Sequence, residues 1–200
     1  MDWSAIPLEA FPETLFRRLG TAVREINDPL RTPALATSSG NTPHVRTVVL
    51  REVNFAQRTL TAFSDSRAGK VAELTQCHSA EWLFYEAAGK FQIRAHGRTR
   101  LHRDNDQTRR RWGNVPLANR VNYCTAVAPG TALPSVAAAF PETLRGQTPT
   151  PENTAAGEKH FAVLVTEVET LDWLWLRADG HWRAQFHWTN GAWRGSWVAP

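Results

Sequence analysis

Residues 161–198 read FAVLVTEVETLDWLWLRADGHWRAQFHWTNGAWRGSWV, and this stretch decides the fold. Val, Thr, Phe and Trp dominate it, the side chains that fit a pleated, half-buried surface. Two dipeptides, Asp179-Gly180 and Asn190-Gly191, interrupt it. The commonest two-residue hairpin turn needs positive φ at both central positions, which Asn, Asp and Gly tolerate best. Each dipeptide therefore predicts a tight turn between antiparallel strands, and the pattern predicts strands at 161–168, 170–177, 182–188 and 192–198.

The same signals recur upstream. Residues 90–102 alternate Phe91, Ile93 and Ala95 with Gln92, Arg94 and His96, a period of two. A turn at Ala87-Ala88-Gly89-Lys90 joins them to a strand at 80–85. Further strands are expected at 33–38, 44–52 and 59–64, with Gly40-Asn41-Thr42-Pro43 turning the first into the second. Helical spacing appears in three places. Leu8, Phe11, Leu15, Leu19, Val23 and Ile26 make an amphipathic helix over 8–27, with Pro12 in its first turn and Asp28-Pro29 ending it. Residues 66–76 and the Arg-rich 104–112 are shorter helices, the latter with Asp104 as N-cap. Prolines crowd 129–157, where a short helix at 135–140 is expected and mobility concentrates. Many hairpins, few helices and no βαβ alternation predict a mainly β chain: an antiparallel split β-barrel with peripheral helices. It is expected to form one domain over 1–200, with an N-terminal helical segment at 1–30 and a loop-rich insertion at 129–158.

Composition narrows the function. Hydrophobic residues make up 42% of the 200 and charged residues 21%, which suits a packed core and not a disordered chain. The net charge of +4, carried mostly by Arg, favours a small anionic ligand held through planar, bidentate contacts. Cys77 and Cys124 show no CxxC spacing and read as free thiols of a cytoplasmic protein. The N-terminus lacks the apolar centre of a signal peptide, and no stretch is long enough to span a membrane. The seven His are scattered, with no HExxH, so no metal site is expected. No GxGxxG, GxxxxGK[ST] or GxSxG occurs. The nine Trp fall largely within strands that build the barrel, which argues against a stacking surface for nucleic acid.

Two clusters carry chemistry. The first is Arg46-Thr47-Val48-Val49-Leu50-Arg51. On a regular strand Arg46 and Arg51 face opposite sides, and both reach one pocket only if a bulge intervenes. The second is Ser64-Asp65-Ser66-Arg67-Ala68-Gly69-Lys70, where a strand ends and a helix begins. Hydroxyls, a helix N-terminus and two cations within one short reach are equipment for a phosphate, although an ordinary helix cap with solvated charges shares the pattern.

These clusters, the strand Phe91-Gln92-Ile93-Arg94-Ala95-His96-Gly97-Arg98, and the closing run Leu171-Asp172-Trp173, His181-Trp182-Arg183, Trp193 and Ala199-Pro200 keep their order along the chain. Together they resemble the pyridoxamine 5′-phosphate oxidase family over residues 33–200. The resemblance implies a homodimer of FMN-binding split barrels with flavin mononucleotide (FMN) held between subunits and a small-molecule substrate. It implies that Arg46, Ser64 and Lys70 hold the flavin phosphate, with Phe63 in a tyrosine's place. Thr47, with Val48 and Val49 through their main chain, and Arg51 complete that strand's share. Gln92, Trp173 and Arg183 contact the flavin, and Arg67 supplies a charge that the oxidases carry directly before Lys70. His181 matches a substrate-side catalytic histidine. The vitamin site departs from the family: Asp179 stands where the oxidases have a ring-side arginine. The final Arg-Leu-x-Pro signature reads Trp197-Val198-Ala199-Pro200. The resemblance implies an FMN-dependent oxidoreductase of unassigned substrate, or else a carrier of flavin or haem without turnover.

Overall fold

The alternation of turn dipeptides and β-branched runs is realised in the computed structural model, which describes residues 2–200, with 137 and 138 by backbone alone. Nine strands are formed among the described residues: β1 (Ala34–Ser39), β2 (Thr42–Thr47), β3 (Leu50–Asn54), β4 (Thr59–Asp65), β5 (Ser79–Glu86), β6 (Phe91–Arg103), β7 (Phe161–Trp175), β8 (Trp182–Thr189) and β9 (Ala192–Val198). They join in one mostly antiparallel split-barrel sheet of order β2-β1-β5-β6-β7-β4-β3, with β8 on β7 and β9 on β8.

The two ends of that order, β2 and β3, are consecutive in sequence and separated only by Val48 and Val49. Three residue steps span at most about 11 Å. The sheet therefore curls until its edges come within that reach, while among the described residues no ladder pairs β2 with β3. This is a barrel left open along one seam. The strand expected at 44–52 is thus two strands serving opposite edges. A second irregularity follows at once, because the β3–β4 register slips between Leu50 and Glu52, leaving Arg51 in a bulge.

The chain groups into two compact units. The first comprises Met1–Ala62, Cys77–Arg100 and Val165–Pro200, and the second Phe63–Gln76 and Leu101–Leu164. Strands β4, β6 and β7 run from the first into the second. The loop-rich 129–158 lies wholly in the second, where short helical turns at Val136–Ala139, Glu142–Leu144 and Pro151–Thr154 break it up.

In the first unit, helix α1 (Phe11–Arg24) buries Phe11, Leu15, Phe16, Leu19 and Ala22, the spacing of one helical face. It stops before Ile26, which is 80% exposed and not part of the apolar stripe expected of it. Trp3, Phe11, Phe91, Trp173 and Phe186 pack as a wholly buried aromatic core. One buried polar chain crosses this unit: Trp82 Nε1 donates to Thr166 Oγ1 at 3.0 Å, and Thr99 shares a 2.8 Å hydrogen bond with the same hydroxyl. Strand β7 runs unbroken through residue 169, where two strands were expected, because no residue there favours positive φ. The hairpins at its end follow the dipeptides, with Asn190 at φ 51° and Gly191 at φ 77°.

In the second unit, Phe63, Phe161, Trp112 and Tyr123 meet edge to face or tilted, with centroids 4.9–5.7 Å apart. Helix α2 (Gly69–Gln76) buries Val71 and Leu74. Helix α3 (Asp106–Asn114) begins two residues later than expected. Its N-cap is Asn105, which closes a capping box with Thr108, while Asp104 precedes it at φ 44°. Both cysteines are free, Cys77 exposed and Cys124 buried. Burial pushes the Cys124 thiol above its ordinary range.

Candidate functional site

In the second unit, β4 delivers Ser64 and Asp65 to a tight turn, and α2 starts at Gly69. Ser64 is buried, and Lys70 Nζ donates to its Oγ at 3.2 Å. The Ser64 hydroxyl in turn reaches the Asp65 carbonyl at 3.2 Å. No acidic residue occupies the first turn of α2. A helix N-terminus and a lysine side chain both favour an anion. Ser64 and Lys70 are therefore brought together as the sequence suggests.

Arg67 is committed elsewhere. Its Nε and Nη2 donate to the Asp65 carboxylate at 3.0 and 2.6 Å, and Nη1 and Nη2 to the carbonyl and hydroxyl of Thr125. The hydrogen bond to Asp65 raises the Arg67 pKa. Its charge is neutralised by a buried neighbour, so the spare cation expected of it is already paired. Phe63 packs on Phe161.

In the first unit, Arg46 lies on β2 opposite Leu35 of β1. Its Nη1 donates to the Leu35 carbonyl at 3.3 Å and to the Thr37 hydroxyl. Thr47 is exposed, Val48 buried and Val49 half-buried at the seam, and Arg51 sits half-buried in its bulge. Gln92 lies on β6 opposite Tyr85, on the face shared with Leu83 and Arg94. Leu35 is buried inside the barrel, whereas Leu83 and Tyr85 are exposed, so Arg46 and Gln92 belong to opposite faces of the sheet.

Trp173 has no exposed surface and is held by Trp3, Phe11, Trp175 and Trp197. Within a single chain Trp173 is thus a core residue, and its indole Nε1 is buried without a hydrogen-bond partner. Arg183 is bound to Asp172 through Nε at 3.1 Å and Nη2 at 2.7 Å. His181 is exposed, and its Nδ1 lies 3.1 Å from both the backbone nitrogen and the carbonyl of Arg177.

Sequence reasoning missed the residue that organises this region. Asp172, 7% exposed, accepts from Arg183, from Arg94 Nη2 at 2.8 Å and from Gln185 Nε2 at 2.8 Å, while Arg94 also faces Glu81 at 3.5 Å. Burial alone would raise the Asp172 pKa, but the bonds from Arg183, Gln185 and Arg94 outweigh it and lower it to about 2. The hairpin centred on Asp179-Gly180 places Asp172 opposite Gln185 and diagonal to Arg183, a signal that register counting supplies. A cavity of about 230 Å³ lies beside this cluster, lined by Arg94, His96, Asp172 and His187 among others. A second, of about 470 Å³, opens at the ends of β8 and β9, between Ser4, His181, Trp182, Arg183, Trp197 and Val198. Among the described residues, no three His, Cys, Asp or Glu are grouped to hold a metal ion. No helix there is long and apolar enough to cross a membrane.

Residues 14–103 match the model of the pyridoxamine 5′-phosphate oxidase FMN-binding domain. The fold is that of a pyridoxamine 5′-phosphate oxidase-related, FMN binding protein from Nostoc punctiforme, with 21% identity, a TM-score of 0.74, and coverage of 98% of this chain and 100% of that one. PhzG from Burkholderia lata, solved with tetrahydrophenazine-1-carboxylic acid, shares the fold at 18% identity and a TM-score of 0.74, over 98% and 95% of the two chains. A protein of the pyridoxinephosphate oxidase family from Clostridium acetobutylicum, related to general stress protein 26, matches at 9% identity and a TM-score of 0.53, over 86% and 94%. The search of curated proteins finds no match.

Proposed function

We propose, from the match of residues 14–103 to the pyridoxamine 5′-phosphate oxidase FMN-binding domain, that the chain is an FMN-dependent oxidoreductase acting on a small molecule as a homodimer. The observation that carries this reading is the Ser64–Lys70 pair at the start of α2, with no acid in that first turn. A monophosphate fits there: an ammonium and a hydroxyl stand beside backbone N–H groups at the positive end of a helix. FMN, when bound, supplies the two-electron redox chemistry. In the second unit the chain's part is to anchor the phosphate through Lys70 and Ser64; in the first unit Arg46, Gln92 and Arg183 are the residues that the resemblance assigns to the flavin. His181 stands on the substrate side.

The opposite faces taken by Arg46 and Gln92 favour a ligand shared by two copies. The outward face that carries Gln92 also carries Leu83, 39% exposed, and Tyr85, 49% exposed. On the neighbouring strands it continues through Ala34 and Ala36 to Val45, 67% exposed. An apolar patch running into a polar site suits a second copy.

Lys70→Ala and Ser64→Ala are each expected to weaken FMN binding. Loss of the charged contact at Lys70 costs about 1.5–3 kcal/mol, a tenfold to hundredfold rise in Kd, and the neutral Ser64 contact costs less. Flavin fluorescence titration measures both. Unaltered affinity in the Lys70 variant rejects the phosphate site. Reduction of the bound flavin by a nicotinamide donor and its reoxidation by a substrate separate an oxidoreductase from a carrier.

A further inference from the structure

We propose that Asp172 is a positioning residue of the flavin site: it fixes the Arg183 guanidinium and cancels its charge, so that Arg183 offers the bound flavin hydrogen bonds without raising its reduction potential. This role rests on the flavoprotein reading, in which Gln92 and Arg183 are flavin contacts. Within the first unit these two residues share one face of the sheet with Asp172. Gln92 and Arg94 lie on β6, Asp172 on β7, and Arg183 and Gln185 on β8. Their neighbours of alternate parity, Ile93, Trp173 and Ala184, have no exposed surface and face the core. Strand β7 runs between β6 and β8, so Asp172 stands between the strands that carry the two contacts.

One carboxylate performs both tasks. Arg183 donates to it through Nε at 3.1 Å and Nη2 at 2.7 Å, and two bonds from one planar group fix the guanidinium plane. Arg94 Nη2 and Gln185 Nε2 each donate to the same carboxylate at 2.8 Å, so Asp172 is itself held from the strands on either side. A side chain locked by such bonds is preorganised for the group it supports. The charges also match. The cluster contains two guanidinium groups, Arg94 and Arg183, and two carboxylates, Asp172 and Glu81, the last 3.5 Å from Arg94 Nε. The hydrogen bond to Asp172 raises the Arg183 pKa, and Asp172 stays ionised far below neutral pH, so the pair is permanent under working conditions. An unmatched cation beside a flavin favours the reduced form, which carries more negative charge. Arg183 is matched, and its donors act without that bias.

Two measurements on the full chain test this: the Kd of oxidised FMN by fluorescence titration, and the midpoint potential of bound FMN by dye-coupled reductive titration. Asp172→Asn is expected to weaken oxidised FMN and raise the potential, and Arg183→Gln to weaken FMN and lower the potential. Each shift is expected to reach about threefold in the ratio of affinities for the two redox forms, about 14 mV for a two-electron couple. Shifts of opposite sign report charge, which a loss of packing does not reproduce. In the Arg183→Gln background, Asp172→Asn is expected to cost no further FMN affinity, because Asp172 acts through Arg183. Asp172→Glu keeps the charge and is expected to keep the wild-type potential. Glu81→Gln removes the cluster's other acid and is expected to raise the potential; it carries the test if Asp172→Asn misfolds. An unchanged potential in both Asp172→Asn and Glu81→Gln, or shifts of one sign in Asp172→Asn and Arg183→Gln, overturns the proposal. So does an undiminished loss of affinity from Asp172→Asn when Arg183 is already glutamine. Wild-type affinity for FMN in Arg183→Gln rejects the proposal and leaves the flavoprotein reading standing, whereas a wild-type chain that fails to bind FMN rejects both.

Discussion

Replacing Gly97 by alanine is expected to destabilise the protein by about 3 kcal/mol or more, at the upper end of what overpacking costs. A Cβ at this position lies 2.0 Å from the Glu167 carbonyl oxygen, 2.8 Å from its carbon and 2.9 Å from Val168 Cα. All three are backbone atoms of β7, so no side-chain rotation relieves the clash. Relief requires β6 and β7 to separate at the middle of the sheet order. Trp82, Thr99 and Thr166, which share a buried hydrogen-bond chain nearby, would be disturbed with them. Gly20→Ala supplies the contrast. Gly20 sits inside α1 with nothing within 4 Å of the added carbon, and the exchange is expected to stabilise by about 0.5–1 kcal/mol. Urea unfolding followed by tryptophan fluorescence measures both. Equal midpoints for wild type and Gly97→Ala would show that β6 and β7 do not approach so closely.

Gly97 also marks how far the sequence speaks. Within the alternating run 91–98 it occupies an inward position, and the alternation predicts that much. Why it is glycine depends on a strand seventy residues away. Local chemistry was legible throughout: Asn190-Gly191 turned where it had to, because few other pairs accept φ of 51° and 77° together. The Ser64–Lys70 pairing was legible too, since six residues and a single turn bring them together, although α2 begins at Gly69 and not at 66. The division of 44–52 into β2 and β3 was not, because Val48 and Val49 carry no break signal. Their separation comes from the sheet's curl, which is a property of the pairing order. Likewise Arg67 reads as a free cation beside a phosphate site, and only the fold supplies Thr125, fifty-eight residues on, as its second partner.

Asp172→Asn is expected to cost about 2–3 kcal/mol at neutral pH. Removing one partner of a fully buried ion pair costs about 3–5 kcal/mol, and the exposure of the partners, 41% at Arg94 and 28% at Arg183, lets water take up part of that loss. An asparagine still accepts one hydrogen bond, but its amide nitrogen meets guanidinium donors where a second acceptor stood. The wild-type carboxyl titrates at about 2 when folded and near 3.8 otherwise. Between those values the unfolded chain binds more protons, so stability rises with pH. The contribution of Asp172 is complete above about pH 5 and fades as pH falls toward 2, and the shift corresponds to about 2 kcal/mol. The penalty of the asparagine variant should accordingly shrink between pH 7 and pH 2.5, read as the difference in urea midpoints at each pH. A penalty that stays constant over that range would remove Asp172 as the anion holding Arg94 and Arg183. With it would go the reason that the Arg183 guanidinium is held in place on this face of β8.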